Sequence, residues 1–225
     1  EEDLLKTEKL NWVKCPADKF PGRAGYTRVT LRSDAAKAYN ALYKEVQELG
    51  GYLTSAGGRR GLTAKKGKAR SKKSFHYVGL AFDMALPTGM YKPDKDPYVI
   101  ENLGNRRWRV WMRCDKGEEM TIKGTYVTRS SGKTKLNKKE VTDKFIDFTS
   151  LALKHGFHSI RARSSFFKGG SYGGAEWWHF QYEKALIKGK STFGEELLKV
   201  YSFDKCKQFA YWSQSKNCIF GKDWF

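Results

Sequence analysis

The chain has 225 residues, of which 40% are hydrophobic, and a formal net charge of +19. No apolar run approaches the length that crosses a bilayer, so we expect no transmembrane segment. No helix-turn-helix, zinc-finger or RNA-binding signature accompanies the positive charge, and we therefore expect no nucleic-acid partner.

The first part of the chain predicts an N-terminal extension at 1–29 and an α+β domain that begins near residue 30. Ser33 can cap a helix that Gly50 and Gly51 end. Its apolar residues recur at helical spacing, namely Ala35, Ala38, Tyr39, Leu42, Val46 and Leu49. A short strand is expected at 52–55. A buried strand is expected at 80–86, because this run is apolar apart from Asp83.

The second part predicts an insertion at 88–137 and a return to the domain, which ends near residue 190. Three prolines open the insertion, and segments 108–112 and 120–128 indicate a hairpin. A helix is expected at 138–155, with Val141, Phe145, Phe148 and Ala152 on one face. Strands are expected at 157–162 and 177–182, with a glycine-rich turn at 169–174 between them. Residues 191–225 form an appendage rich in aromatic residues.

Two short segments carry candidate metal ligands. His76 and Asp83 lie seven residues apart, and His179 follows about a hundred residues later. Zinc in hydrolases commonly takes three ligands from His and Asp or Glu and leaves a fourth position for water. These residues predict one Zn²⁺ ion at His76, Asp83 and His179, with Glu176 as the base beside it. Each residue taken alone is more often an ordinary hydrogen-bonded group.

The strand expected at 177–182 places Trp177, His179 and Gln181 on one face and Trp178 on the other. His179 would then point towards the metal. The remaining histidines, His155 and His158, lie near Gly156 at the end of a predicted helix, and we interpret them as structural.

The first segment has the pattern S-x-H-x-x-G-x-A-x-D at 74–83, which a chain of this length would match by composition about once in ten thousand tries. With E-W-W-H at 176–179, it resembles the zinc D-Ala-D-Ala carboxypeptidases and dipeptidases, including those of vancomycin resistance. Bacteriophage peptidoglycan endopeptidases and the zinc domain of hedgehog proteins share that scaffold. The resemblance covers about residues 30–186.

The resemblance implies a small antiparallel sheet backed by helices, with the zinc site on its open face. It implies the same zinc ligands, catalysis by Glu176, and D-Ala-D-Ala carboxypeptidase activity on peptidoglycan stem peptides. In exopeptidases of this family an arginine upstream of the first motif holds the substrate carboxylate. Arg59 is favoured for that catalytic role and Arg60 is the alternative. Ser74 and Trp178 are further candidates for substrate binding, although Ser74 could equally cap a turn.

Two other functions remain open. One is a peptidoglycan endopeptidase, such as a phage or prophage lysin that cuts between L-Ala and D-Glu or within a cross-bridge. The other is a non-catalytic module that binds the cell wall or a polyanion, against which the presence of Glu176 argues.

The basic residues and the cysteines give indications of where the protein is located. Eight basic residues and no acidic one lie at 59–73, which favours anionic envelope polymers as partners. We expect an extracytoplasmic protein, periplasmic or secreted, or a phage-encoded lysin. Two disulfides would suit export, with Cys206–Cys218 and Cys15–Cys114 as the preferred pairs, whereas four reduced thiols would suit the cytosol. The aromatic residues Trp108, Trp111, Tyr211, Trp212 and Trp224 indicate either glycan binding or, more commonly, packing.

Overall fold

A computed structural model describes residues 9–67, 70–212 and 219–225. It shows an α+β protein with three small antiparallel sheets and few helices. The fold class predicted from the sequence is therefore confirmed at this level. Within the described ranges, no helix has the length and apolar character needed to cross a membrane.

The N-terminal layer is a two-stranded sheet followed by the longest helix. Strands β1 (Trp12–Pro16) and β2 (Arg28–Arg32) pair antiparallel, and α1 (Ser33–Glu48) follows directly. The helix buries most of the predicted stripe, including Tyr39, Leu42 and Val46. Ser33 does not cap it, because Ser33 is already the first helical residue and Arg32 occupies the N-cap position; the Ser33 hydroxyl accepts a hydrogen bond from the Asn11 amide at 3.2 Å. Gly50 follows with a φ of +73°, a conformation that ends helices.

The central sheet has three short strands in the order β3 (Ala81–Asp83), β8 (His179–Tyr182) and β7 (Phe157–Ser159). All pairs are antiparallel, and Asp83 lies directly opposite His179. The opposite face of the sheet is aromatic: Phe82 packs against Phe157 and Phe180 with ring centroids 5.1 and 5.7 Å apart. The strands predicted at 80–86, 157–162 and 177–182 exist but are shorter than predicted.

A three-stranded meander occupies the middle of the chain. Strand β4 (Tyr98–Gly104) pairs with β5 (Arg107–Ser130), which pairs with β6 (Lys133–Asp147). The helix predicted at 138–155 is wrong over its first ten residues, and only α2 (Phe148–Lys154) is helical. Val141 pairs with Ile122 in the sheet. A spacing of four residues keeps side chains on one face of a strand as well as of a helix, so the pattern was ambiguous.

The segment predicted as a strand at 52–55 forms only an isolated bridge between Thr54 and Asp18. Its hydrogen-bonding groups are used elsewhere, since the Leu53 amide donates to the Asp18 carboxylate at 2.7 Å and the Thr54 amide donates to the Tyr98 hydroxyl at 3.0 Å.

In the described part of the C-terminal segment, the short helices α3 (Phe193–Leu198) and α4 (Phe203–Cys206) pack onto the rest of the protein. Glu196 forms a buried ion pair with Arg32 at 2.6 Å. Phe209 lies against Tyr77, and Trp224 lies against Phe75. The aromatic residues considered for glycan binding are buried or packed against neighbouring hydrophobic clusters, namely Trp108, Trp111, Tyr211, Trp212 and Trp224.

The disulfide expected between Cys15 and Cys114 is wrong, because both are buried free thiols. Burial raises the pKa of the Cys15 thiol to about 11 and outweighs the opposing hydrogen bond with Asn40. Cys206 is also a buried free thiol. Its expected partner, Cys218, lies outside the described residues.

Candidate metal centre

The two sequence segments meet at one edge of the central sheet. Asp83 is the last residue of β3 and His179 is the first of β8, so their pairing brings these side chains together. His76 comes from the tight turn before β3, in which the Tyr77 amide donates to the Ser74 carbonyl at 3.0 Å. Gly79 has a φ of +70°, and a Cβ atom there would lie 2.3 Å from Trp12. Glycine therefore allows this turn to pack against β1.

Three potential ligand atoms converge at this edge. His76 Nε2 lies 3.3 Å from Asp83 Oδ1 and 3.2 Å from His179 Nδ1. His179 Nδ1 lies 3.0 Å from Asp83 Oδ1. Ligands placed tetrahedrally around zinc at its usual bond lengths lie about 3.3 Å from one another. The spacing of the three atoms thus fits a shared ion, and the group could hold a metal ion.

In each imidazole, the nitrogen atom that is not near Asp83 lies close to a hydrogen-bond acceptor. His76 Nδ1 lies 2.7 Å from the Gly58 carbonyl oxygen, which can only accept a hydrogen bond. His179 Nε2 lies 3.3 Å from Gln181 Oε1. In the neutral tautomers that donate these bonds, His76 Nε2 and His179 Nδ1 both present lone pairs towards the Asp83 carboxylate. Metal-binding histidines are commonly held by such outer hydrogen bonds.

Three lone-pair donors facing one another repel unless a cation or a proton lies between them. Without a metal, a proton on His179 can take this role. Burial alone lowers the pKa of His179, but the hydrogen bond and charge of Asp83 outweigh it and the net shift is upward. Burial likewise raises the pKa of Asp83, and the nearby His76 and His179 more than reverse this, which holds the pKa well below its usual range. The cluster is therefore built to hold positive charge at its centre.

Glu176 lines the same cleft as the three candidate ligands. Its Oε1 accepts a hydrogen bond from Arg163 Nε at 3.1 Å, and its side chain is 12% exposed. The backbone of Glu176 has a φ of +57°, a region that residues other than glycine rarely adopt. Such strained positions often occur at functional sites. Glu176 thus borders the cleft without belonging to the group of three converging ligand atoms.

The two candidate arginines are placed differently. Arg60 lines the cleft, with its guanidinium carbon 5.1 Å from the centre of the Tyr77 ring. Its Nη1 is buried without a hydrogen-bond partner among the described residues. Arg59, which the sequence favours, instead lies over Trp12 at 4.2 Å and donates to the Tyr201 hydroxyl at 3.0 Å. Of the two, the geometry therefore points to Arg60 as the residue available to a substrate.

Ser74 and Trp178 both line the cleft. The Ser74 hydroxyl also accepts a hydrogen bond from the His76 amide at 3.4 Å, so it supports the turn that carries the ligand. The predicted faces of the two tryptophans are reversed: Trp178 borders the cleft, whereas Trp177 is buried near Tyr98. The strand begins only at His179, and the turn at Glu176 breaks the alternation that the prediction assumed.

Sequence reasoning missed several residues around the centre. Arg163 contacts Glu176, the Gly58 carbonyl contacts His76, and Trp224 forms part of the cleft wall. Arg163 lies in an irregular segment with no motif, and a backbone carbonyl carries no signal in residue type. Gln181 was placed on the same face as His179, and their hydrogen bond confirms this.

The two other histidines lie outside the cluster. His155 caps the end of α2, and its Nε2 lies 2.7 Å from Glu45. His158 Nδ1 lies 3.5 Å from Glu183. These contacts agree with the structural interpretation.

No family model, no curated protein and no solved structure matches the chain.

Proposed function

We propose that the protein is a zinc metallopeptidase that hydrolyses peptidoglycan stem peptides, and specifically a D-Ala-D-Ala carboxypeptidase of the hedgehog and D-Ala-D-Ala peptidase scaffold. The observation that carries the proposal is the convergence of His76, Asp83 and His179, with ligand atoms 3.0–3.3 Å apart. Glu176 in the same cleft supports a hydrolytic function, because a structural zinc site is closed by four protein ligands, whereas a catalytic one has three and uses a nearby base.

Zinc is the proposed ion because two imidazoles and one carboxylate with an open fourth position form a ligand set typical of zinc hydrolases. When bound, the ion polarises the scissile carbonyl and lowers the pKa of a water molecule. The protein supplies the remaining chemistry through its own side chains. Gly58 and Gln181 orient the imidazoles through their outer nitrogen atoms.

Glu176 is the proposed catalytic base, which accepts a proton from water and returns it to the departing amine. Arg163 fixes the orientation of this carboxylate through its contact at Oε1. The Arg163 amide in turn donates to the Gly174 carbonyl at 2.8 Å, which ties the arginine to the segment that precedes Glu176. The ion pair therefore acts as a positioning device for the base.

Arg60 is the proposed anchor for the substrate's terminal carboxylate. A guanidinium forms two parallel hydrogen bonds to a carboxylate, which fixes the orientation of the peptide as well as its charge. Arg60 lines the cleft that such a substrate would enter, whereas Arg59 is held against Trp12 and Tyr201. An exposed terminal carboxylate is the feature that separates carboxypeptidase substrates from endopeptidase substrates.

The proposed peptidoglycan substrate determines where the protein would act. We propose that the protein works on the cell wall, as a periplasmic or secreted enzyme or as a phage-encoded lysin. The free thiols at Cys15 and Cys114 remove disulfide bonding as support for export, but the net charge of +19 suits a surface rich in anionic polymers.

The test is metal content together with product identity on purified muropeptides. We expect about one zinc per chain and loss of a single alanine from pentapeptide stems. His179→Ala should lose both, whereas His155→Ala, a matched histidine that contacts Glu45 outside the cluster, should keep both. Release of whole stems would instead identify an endopeptidase. Bound zinc with no turnover of any stem peptide would identify a non-catalytic module and contradict the proposal.

A further inference from the structure

A second pocket lies beside the catalytic cleft, on the other side of Ile160. It has a volume of about 480 Å³, and Ile160 lines both cavities. Its rim carries Leu103 and Leu153, which are 46% and 49% exposed. Two arginines, Arg107 and Arg161, supply its positive charge, and the imidazole of His158 also lines it. No acidic residue lines it among the described residues.

The two arginines have no charged partner in the described part of the chain. Neither guanidinium forms an ion pair or a hydrogen bond there, whereas Arg109 and Arg113, on the same strand as Arg107, each pair with a carboxylate. By contrast, His158 contacts Glu183 at 3.5 Å. The pocket therefore holds two uncompensated positive charges beside apolar surface.

The backbone holds these arginines close together. Arg107 follows the tight turn at Asn105 and Arg106, and Arg161 lies in the segment after β7. The Ala162 amide donates to the Arg106 carbonyl at 2.8 Å, and Arg106 Nη1 donates to the Ala162 carbonyl at 3.2 Å. Since each arginine is next to a residue of this crosslink, the two segments that carry them are fixed before any ligand arrives.

We infer that this pocket is a subsite for a second carboxylate of the same acidic peptide whose scissile bond lies in the cleft. The inference rests on the proposed function and narrows its substrate class. A peptide chain that passes over Ile160 would place an anionic side chain between Arg107 and Arg161, and its aliphatic part against Leu103 and Leu153. Paired guanidinium groups suit a carboxylate because they can donate several charge-assisted hydrogen bonds.

The experiment uses two synthetic stem peptides that differ only in a free carboxyl or a carboxamide on the acidic residue upstream of cleavage. We expect wild-type protein to prefer the free carboxyl about tenfold in kcat/KM, with the difference in KM. The double variant Arg107→Gln, Arg161→Gln should lose this preference and keep kcat. The control Lys135→Gln, Lys138→Gln removes the same charge from exposed positions of β6 and should keep the preference.

Binding of both peptides to the Glu176→Gln variant by calorimetry separates this inference from the proposed function. A tenfold tighter affinity for the free carboxyl, lost on replacing the two arginines, supports the subsite even if the wild-type protein cleaves neither peptide. Equal affinity for the two peptides, or a preference that survives in the arginine variant, overturns it. A third outcome is that a glycerol phosphate polymer competes for binding, that this competition needs the two arginines, and that the two peptides bind equally well. This outcome would assign the pocket to a wall polymer and would also overturn the inference.

Discussion

The central sheet and the β4–β6 meander are both antiparallel, but they differ in how deeply their charged side chains are buried. At the edge of the sheet, Asp83 is packed with two buried imidazoles, and the pKa values of Asp83 and His179 shift away from their usual values. Along the meander, most charged side chains are exposed, and in the ion pair of Lys139 with Asp94 the two side chains are 50% and 54% exposed. Buried charges interact strongly and need partners, whereas exposed pairs are screened and contribute little.

The largest expected effect is that of replacing Glu176, the proposed general base. Replacing Glu176 with glutamine should lower kcat by about 10²–10⁴-fold, because a positioned general base contributes on that scale. The zinc content should stay at the wild-type value, since Glu176 is not a ligand in this account. Mass spectrometry of muropeptide products and elemental analysis of the same sample would measure both. Unchanged turnover would remove Glu176 from the catalytic account.

The next effect concerns the buried pair that joins the C-terminal segment to β2. Glu196→Ala should destabilise the protein by about 3 kcal/mol, because Arg32 would stay buried with Asp34 as its remaining partner. The matched change in the meander, Asp143→Ala, should cost less than about 1 kcal/mol, since its carboxylate is 49% exposed. Urea unfolding of both variants measures the difference. Equal costs would contradict the contrast drawn between the two regions.

The positioning role of Arg163 predicts a smaller change. Arg163→Ala should lower kcat about tenfold to a hundredfold, on the scale of outer groups that orient catalytic residues, and leave KM nearly unchanged. Arg163→Lys should restore part of the activity, because an ammonium can still reach the carboxylate. Steady-state kinetics on a stem peptide would show this. A rise in KM with constant kcat would instead place Arg163 in substrate binding.

The smallest effect is a pH dependence of the metal-free protein. The pKa of His179 is raised, so its contribution to stability is full below about pH 6.5 and is lost as pH rises through the folded-state value. The pKa of Asp83 is lowered, so its contribution is present above about pH 4 and is lost as pH falls through its folded-state value. The metal-free cluster should therefore stabilise the fold most between these two limits.

Zinc should instead stabilise the protein more as pH rises towards and above neutrality, because the ligands must lose their protons to bind it. The difference in Tm between zinc-loaded and chelator-treated protein should accordingly grow from pH 5.5 to pH 7.5. Thermal unfolding at a series of pH values tests this. A difference that shrinks over the same range would contradict metal binding by these histidines.

The sequence could predict the centre because it depends on a few residue types at fixed positions. His76, Asp83 and His179 are separated in the chain, but the two motifs, an apolar strand interrupted by Asp83, and an aromatic strand expected at 177–182 marked them as candidate ligands. The groups that orient them were harder to predict. The Gly58 carbonyl has no signature in sequence, and Arg163 reaches Glu176 from an irregular segment.

In the meander, the periodicity of hydrophobic residues was not enough to distinguish a strand from a helix. Val141 and Phe145 are four residues apart, which suits one face of a helix and of a strand alike. Only the pairing of Val141 with Ile122 on the preceding strand decides between the two, and that contact is tertiary. The reversal of Trp177 and Trp178 has a local cause, since the backbone conformation of Glu176 shifts the start of the strand.

If His76, Asp83 and His179 share one dication, anomalous diffraction at the zinc absorption edge from crystals grown with zinc should locate it. We expect one strong peak about 2.0–2.1 Å from His76 Nε2, Asp83 Oδ1 and His179 Nδ1. A fully ordered cluster with no peak at these atoms, in crystals whose mother liquor contains excess zinc at neutral pH, would contradict it.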